Sequence, residues 1–254
     1  MLAAAIASGT LIGAALGLLG AGGSTLTVPI FVYLLGFPAK EAIAMSLAVV
    51  GATSAASAAV HGRAGNVNVR VAAIFAAVAA FGTLGGAHLA RFISGGTQLV
   101  IFGAVMLGAA VFMLRGGATR PAGEAVSPGD TVAAFGRLVP AALAVGLLTG
   151  VAGVGGGFLI VPALLLLRLS MGQAVGTSLL IIAANCIVGV YGYLGQVEIA
   201  WTPVVLVAAG TAPGVALGTY LHRFVSQTSL RRGFGVLLVL MAAFILYQNL
   251  TPGG

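Results

Sequence analysis

Two glycine runs hold the residues best suited to chemistry in this chain. Gly20, Gly22, Gly23, Ser24, Thr25 and Pro29 stand in GLLGAGGSTLTVP, and Gly153, Gly155, Gly156, Gly157 and Pro162 stand in GVAGVGGGFLIVP. Glycine lets the backbone take positive φ and lets a ligand approach the main chain closely. A short helix beginning after each run, near Ser24-Thr25 and Gly157-Phe158, would present free N–H groups and a positive dipole end. That arrangement attracts an anion without a charged side chain. Pro29 and Pro162 then remove a backbone donor about a turn and a half into each helix. The competing reading, close packing between helices, is kept for the scattered glycines Gly103, Gly108, Gly218 and Gly235.

The elements around these runs are apolar helices. Residues are 60% hydrophobic and only 6% charged, and stretches such as Val71 to Leu89 are long enough to enter a bilayer. The amino terminus is apolar from Leu2, lacks a basic start and is not read as a signal peptide. Eleven Lys and Arg against four Asp and Glu would point to nucleic acid in a soluble domain, but here they stand singly at segment ends. They set topology, and no nucleic-acid partner is expected. Cys186, the single cysteine, is read as a small apolar residue in a packed helix.

Apolar segments are predicted at about 2–20, 25–36, 40–60, 71–90 and 97–114, then at about 133–152, 158–169, 173–192, 201–221 and 231–248. Between the sets lies the polar stretch Arg115 to Thr131. The halves match beyond the glycine runs: Gly62 and Gly65 with Gly192 and Gly195, and Gly86, Arg91, Phe92 and Ser94 with Gly218, Arg223, Phe224 and Ser226. This is internal duplication. The domains are therefore an N-terminal repeat over 1–115, a linker over 116–132 and a C-terminal repeat over 133–254.

The second segment of each half, roughly a dozen residues at 1.5 Å each, reaches only about 18 Å and cannot span as an ordinary helix. The first two segments form either a broken pair or one interrupted element. With an odd number of crossings per half, Arg63, Arg70, Arg115, Arg120, Arg137, Arg168, Arg223, Arg231 and Arg232 share one side, against Lys40 and Arg91. The positive-inside rule favours that case, which inverts the second half, puts the linker in the cytoplasm and leaves both termini outside. Half-helices entering from opposite faces would bring the glycine runs together near the midplane.

Few other polar residues lie inside the segments. Asn185 is central in its helix and is assigned either to interhelical bonding or to the site. Thr53, Ser54 and Ser57 are expected to bond back to their own helix carbonyls. His61, His88 and His222 fall at segment ends without metal-ligand spacing, and Trp201 and Tyr247 are expected to anchor at the interface. No Asp or Glu is embedded in mid-segment, so no carboxylate proton relay is expected.

Two copies of a G-x-x-G-x-G-G-[SG]-x-[LI]-x-V-P pattern, each followed by a helix with an [MT]-S-L step, resemble the sulfite exporter TauE/SafE family over essentially the whole chain. The resemblance implies an all-α integral membrane protein with two inverted repeats, each a broken or re-entrant helix pair plus three transmembrane helices. It implies an inner-membrane exporter of sulfite, an organosulfonate or another small organic anion; from the residues themselves, no cofactor and no metal are expected. Carried over by position, it adds Ser46 and Ser178 to the glycine-run residues as substrate-binding. Ser24 has Gly157 as its counterpart, so the halves differ in hydroxyl chemistry. Expected partners are a small anion and the lipid bilayer, with a homodimer left open. An intramembrane hydrolase using Ser24 with His61 or His88 is the alternative from another class; it leaves the duplication unexplained.

Overall fold

The computed structural model describes residues 2–19, 22–115, 128–152, 157–167, 169–222, 224–225 and 227–250. These form ten α-helices: α1 (Leu2–Leu19), α2 (Gly22–Pro29), α3 (Ala39–Arg63), α4 (Val69–Ala90), α5 (Gly95–Leu114), α6 (Pro128–Ala152), α7 (Gly157–Leu166), α8 (Met171–Tyr193), α9 (Trp201–His222) and α10 (Gln227–Leu250). The predicted segments match these helices closely. The exception is α6, which starts at Pro128 rather than near 133, so part of the predicted linker is helical.

Local chemistry fixes many of the ends. Ser94 caps α5 by accepting from the Thr97 amide at 3.2 Å, Ser170 caps α8 from Gln173 at 3.4 Å, and Asn68 caps α4 from Val71 at 3.1 Å. The turns after α3 and α8 each contain a glycine at positive φ, Gly65 at 72° and Gly195 at 82°. These repeat-related positions leave one helix and start the next, a conformation that a side chain resists. Beyond Pro29 the chain continues as a π-helical turn, Ile30–Leu34, closed by the Leu35 amide on the Ile30 carbonyl at 2.9 Å. Proline's missing donor makes regular extension unfavourable there.

Among the described residues, six helices are long and apolar enough to cross a membrane: α3, α4, α5, α8, α9 and α10. Shorter apolar helical stretches lie at Ile6–Leu18, Thr25–Leu34 and Leu138–Ala152. Phe81 and Ile187 expose 76% and 73% of their surface on helix flanks, which suits lipid and not water. The chain is a multi-pass membrane protein.

Helices pair α1 with α9, α4 with α6, α3 with α8, α5 with α10 and α2 with α7. Exchanging the first five helices for the last five leaves this set unchanged. In lipid, apolar burial gives little drive to associate, so contact rests on close backbone approach. A Cβ on Gly13 would strike the Thr211 carbonyl, and one on Gly146, its repeat-mate, would strike that of Ala79. Along α1 and α9 the contacts run in parallel: Gly9 meets Val207, Gly13 meets Thr211 and Leu18 meets Gly218. On α4 and α6, Ala79 meets Gly146 and Gly86 meets Gly150, again in parallel. By contrast α3 and α8 are antiparallel, with Leu47 against Gly189, Gly51 against Cys186 and His61 against Gly176. So are α5 and α10, with Gly103 against Leu246 and Leu114 against Gly235. Cys186 is the packed small residue expected: a Cβ on Gly51 would lie 2.8 Å from its own.

Among the scattered glycines, Gly103, Gly218 and Gly235 are packing contacts, but Gly108 is not, since nothing lies within 4 Å of its missing Cβ. Basic residues gather at helix ends. Lys40, opening α3, donates to the Arg91 carbonyl after α4 at 3.4 Å, joining the two residues separated from the arginines by the charge pattern. Arg91 also contacts His88 and lies 4.7 Å over the Phe92 ring.

Candidate functional site

Gly20, Gly153, Gly155 and Gly156 lie outside the described residues. Gly22, Gly23 and Ser24 open α2, and Gly157 opens α7, so a short helix does start at each run as expected. Thr25, Pro29, Gly157 and Pro162 are all buried, and α2 touches α7. Ser46 and Ser178 behave as repeat-mates. Each is fully buried and donates to its own helix three residues back, to Ile43 and Val175, both at 2.8 Å.

At the open end of α6, two side chains with no part in the glycine pattern meet the last carbonyls. Gln98 Nε2 donates to the Val151 carbonyl at 3.1 Å, and Tyr193 Oη donates to that of Gly150 at 3.1 Å. Gln98 and Tyr193 also touch at 3.3 Å, and Gln98 approaches the Ala90 carbonyl at 3.5 Å. Gln98 is the fourth residue of α5, Tyr193 the last of α8 and Ala90 the last of α4. Three residues of α5 rise about 4.5 Å. The α6 break therefore sits about one turn inside the end of the bundle, not at its middle as the repeat pattern alone predicts. Helix α9 starts at that same end, after the short 194–200 turn, and runs about 33 Å at 1.5 Å per residue to the other. Because Leu18 packs beside Gly218, near the finish of α9, the α1 break lies toward the opposite end. Neither Tyr193 nor Gln98 is marked out by the sequence; only the fold reveals their shared target.

At mid-height, where α3 crosses α8 at Gly51 and Cys186, three buried polar atoms have no hydrogen-bond partner among the described residues: Ser54 Oγ and both amide atoms of Asn185. Thr53 and Ser57 do bond back to Val49 and Thr53, at 2.7 and 2.9 Å, but Ser54 does not follow its neighbours as expected. Thr53 also meets Thr211 at 3.0 Å across the α3–α9 seam. That seam holds a cavity of about 580 Å³ lined by Thr53, Ala56, Val60, Thr211, Val215 and Tyr220 among others. The related seam between α8 and α4 is closed at the matching level. A Cβ on Gly192 would lie 2.7 Å from that of Ala87, whereas its repeat-mate Gly62 has nothing within 4 Å. Gln196 reinforces the closed side by donating to the Ala87 carbonyl at 3.3 Å. His61 is buried in the last turn of α3, not interfacial as expected, while Trp201 and Tyr247 are exposed as anchors should be.

The family model described as "Sulfite exporter TauE/SafE" matches residues 5–245. A "Probable membrane transporter protein" of Xylella fastidiosa (strain 9a5c) is 36% identical, covering 96% of this chain and 94% of its own. The "Probable membrane transporter protein YdhB" of Bacillus subtilis (strain 168) is 28% identical, covering 87% of this chain and 90% of its own. No solved structure matches.

Proposed function

The chain belongs to the sulfite exporter TauE/SafE family of membrane transporters, and from that premise we propose that it exports a small oxyanion, sulfite or an organosulfonate, across the bacterial inner membrane. The anion binds backbone N–H groups at the starts of α2 and α7. The substrate-binding residues are Gly20, Gly22, Gly23, Ser24, Thr25, Pro29 and Ser46 from one half, with Gly153, Gly155, Gly156, Gly157, Pro162 and Ser178 from the other. Asn185, buried on α8, is assigned to the same site. The observation that carries the reading is the trio of unpartnered buried atoms on Ser54 and Asn185 at mid-height, flanked by two broken helix pairs. Leaving such groups unsatisfied in a dry interior costs about 1–3 kcal/mol each, which a polar passenger would recover. Because the breaks lie toward opposite ends, the two helix starts act as successive stations rather than one midplane site.

The halves are inverted repeats, each with an odd number of crossings. Support comes from the self-paired helices: α3 against α8 and α5 against α10 run antiparallel, as a two-fold axis perpendicular to the helices requires. The unequal seams support a rocking cycle in which α3–α9 closes as α4–α8 opens. The end that carries Arg63, Arg70, Arg115 and Arg232 faces the cytoplasm, with the linker, and both termini face the periplasm.

Cysteines at Gly123 and Gly253 in a Cys186→Ala background test this topology. An impermeant maleimide applied from the periplasm is expected to label only the Gly253→Cys site. Labelling of both from that side contradicts the inversion. The function itself is tested by sulfite flux into proteoliposomes, where a purified protein that moves no small oxyanion overturns the reading.

A further inference from the structure

Resting on the reading that the chain carries a small oxyanion through its middle, we propose that Asn185 and Ser54 select an anion that brings a hydrogen-bond donor of its own. Its class is a singly charged oxyanion bearing an O–H or N–H: hydrogen sulfite, or a sulfonate with an amino or hydroxyl group. Both side chains are fully buried where α3 crosses α8, and Ser54 Oγ, Asn185 Nδ2 and Asn185 Oδ1 have no hydrogen-bond partner among the described residues. The amide supplies two N–H donors and an acceptor oxygen, and the hydroxyl one donor and an acceptor. Turning the amide over exchanges its ends but still leaves a donor side and an acceptor side unanswered. An anion without hydrogen answers the N–H groups and sets its own oxygens against Oδ1. Only a passenger with a donor answers both sides.

The other half of the molecule shows a satisfied polar residue at the same level. The shift of 132 that relates Ser46 to Ser178 also relates Thr53 to Asn185 and Ala79 to Thr211. Thr53 donates to the Val49 carbonyl at 2.7 Å and lies 3.0 Å from the Thr211 hydroxyl. Helices α4 and α8 run in parallel, with the Asn68 amide at the start of one bonded to Thr177 near the start of the other at 2.9 Å, and Ala87 against Gly192 near their finish. Ala79 therefore stands at the level of Asn185, where it brings no hydroxyl. An amide kept there to join helices would face a polar neighbour. This one faces an alanine and is left for a ligand.

The route to the pair is the α3–α9 seam. Thr53, one residue before Ser54, lines its cavity of about 580 Å³, so an anion entering the seam arrives beside Ser54 once the helices shift. The residues lining that cavity are uncharged, as are Ser54 and Asn185. Nothing there offsets a second negative charge away from water, which favours the singly charged passenger.

Sulfamate and methanesulfonate test the donor directly, because both are singly charged oxyanions of nearly equal size and only sulfamate carries N–H groups. The full-length wild type, Asn185→Leu and Asn185→Thr are compared in proteoliposomes under one imposed potential, and by thermal melting in detergent with each anion. In the wild type the KM for sulfamate is expected to lie about tenfold below that for methanesulfonate, and sulfamate to raise the melting temperature more. In Asn185→Leu the preference is expected to disappear, while the protein without ligand melts no lower than the wild type, since polar atoms lacking partners have been removed. A wild type that treats the two anions alike overturns the proposal. So does an Asn185→Leu protein that melts lower yet keeps the preference, the mark of a merely structural amide. Where the leucine variant fails to fold, Asn185→Thr, which copies the satisfied residue of the other half, decides by the same readouts. A wild type that moves neither anion nor sulfite would reject the transport reading, while the melting comparison still decides whether the donor is recognised.

Discussion

Gly23→Val and Gly156→Val are each expected to abolish anion flux while leaving the protein inserted and folded. Gly23 lies at the start of α2, and Gly156 directly precedes α7. A β-branched side chain there obstructs approach to the N–H groups with a stiff, bulky Cβ. Binding through backbone donors has no substitute once access is closed. The control is Gly108→Val: its Cβ would project into open space, so flux is expected to stay near normal. Normal transport by Gly156→Val would show that the glycine runs serve packing alone.

An effect of comparable size, on stability and not on transport, is expected from Gly13→Val and Gly146→Val. These repeat-mates sit where α1 meets α9 and where α6 meets α4, and any Cβ would collide with the carbonyl of Thr211 or Ala79. Backbone cannot move aside as a flexible side-chain tip can, so the helix pair must separate. Overpacking of this kind costs about 1–3 kcal/mol, and loss of the neighbouring close contacts adds to it. Thermal unfolding in detergent is expected to show both variants strongly destabilised. A wild-type melting curve for Gly146→Val would mean that the α4–α6 contact contributes little.

Much of the architecture is legible in the residues themselves. Apolar runs broken by Gly65, Gly195, Pro38 and Ser94 mark the helix ends because each of these residues imposes its conformation locally. The separation of Lys40 and Arg91 from the arginines is equally local, and in the structure those two do meet. Helix partnership is not local. Gly9 and Gly13 look like ordinary small residues in an apolar helix until α9 is laid against them. The depth of the α6 break follows from which ends of α4, α5 and α8 converge on it, and no spacing in the chain encodes that. Ser54, placed among hydroxyls that satisfy themselves on their own helix, could not be singled out without seeing that its oxygen lacks a partner among the described residues.

On the proposed function, the chain moves an anion held by neutral backbone donors, without a carboxylate relay. Among the described residues Glu41 lies in the first turn of α3 and Glu198 in the turn between α8 and α9, so neither stands mid-helix. An anion leaving a negative interior gains about 2.3 kcal/mol per charge per 100 mV, more than tenfold in concentration ratio for a monoanion. The most direct measurement is sulfite flux in proteoliposomes under an imposed potassium-diffusion potential, with no pH or sodium gradient. Flux that rises and reverses with the imposed potential is the expected result; flux that ignores the potential and follows only an imposed proton gradient would contradict it.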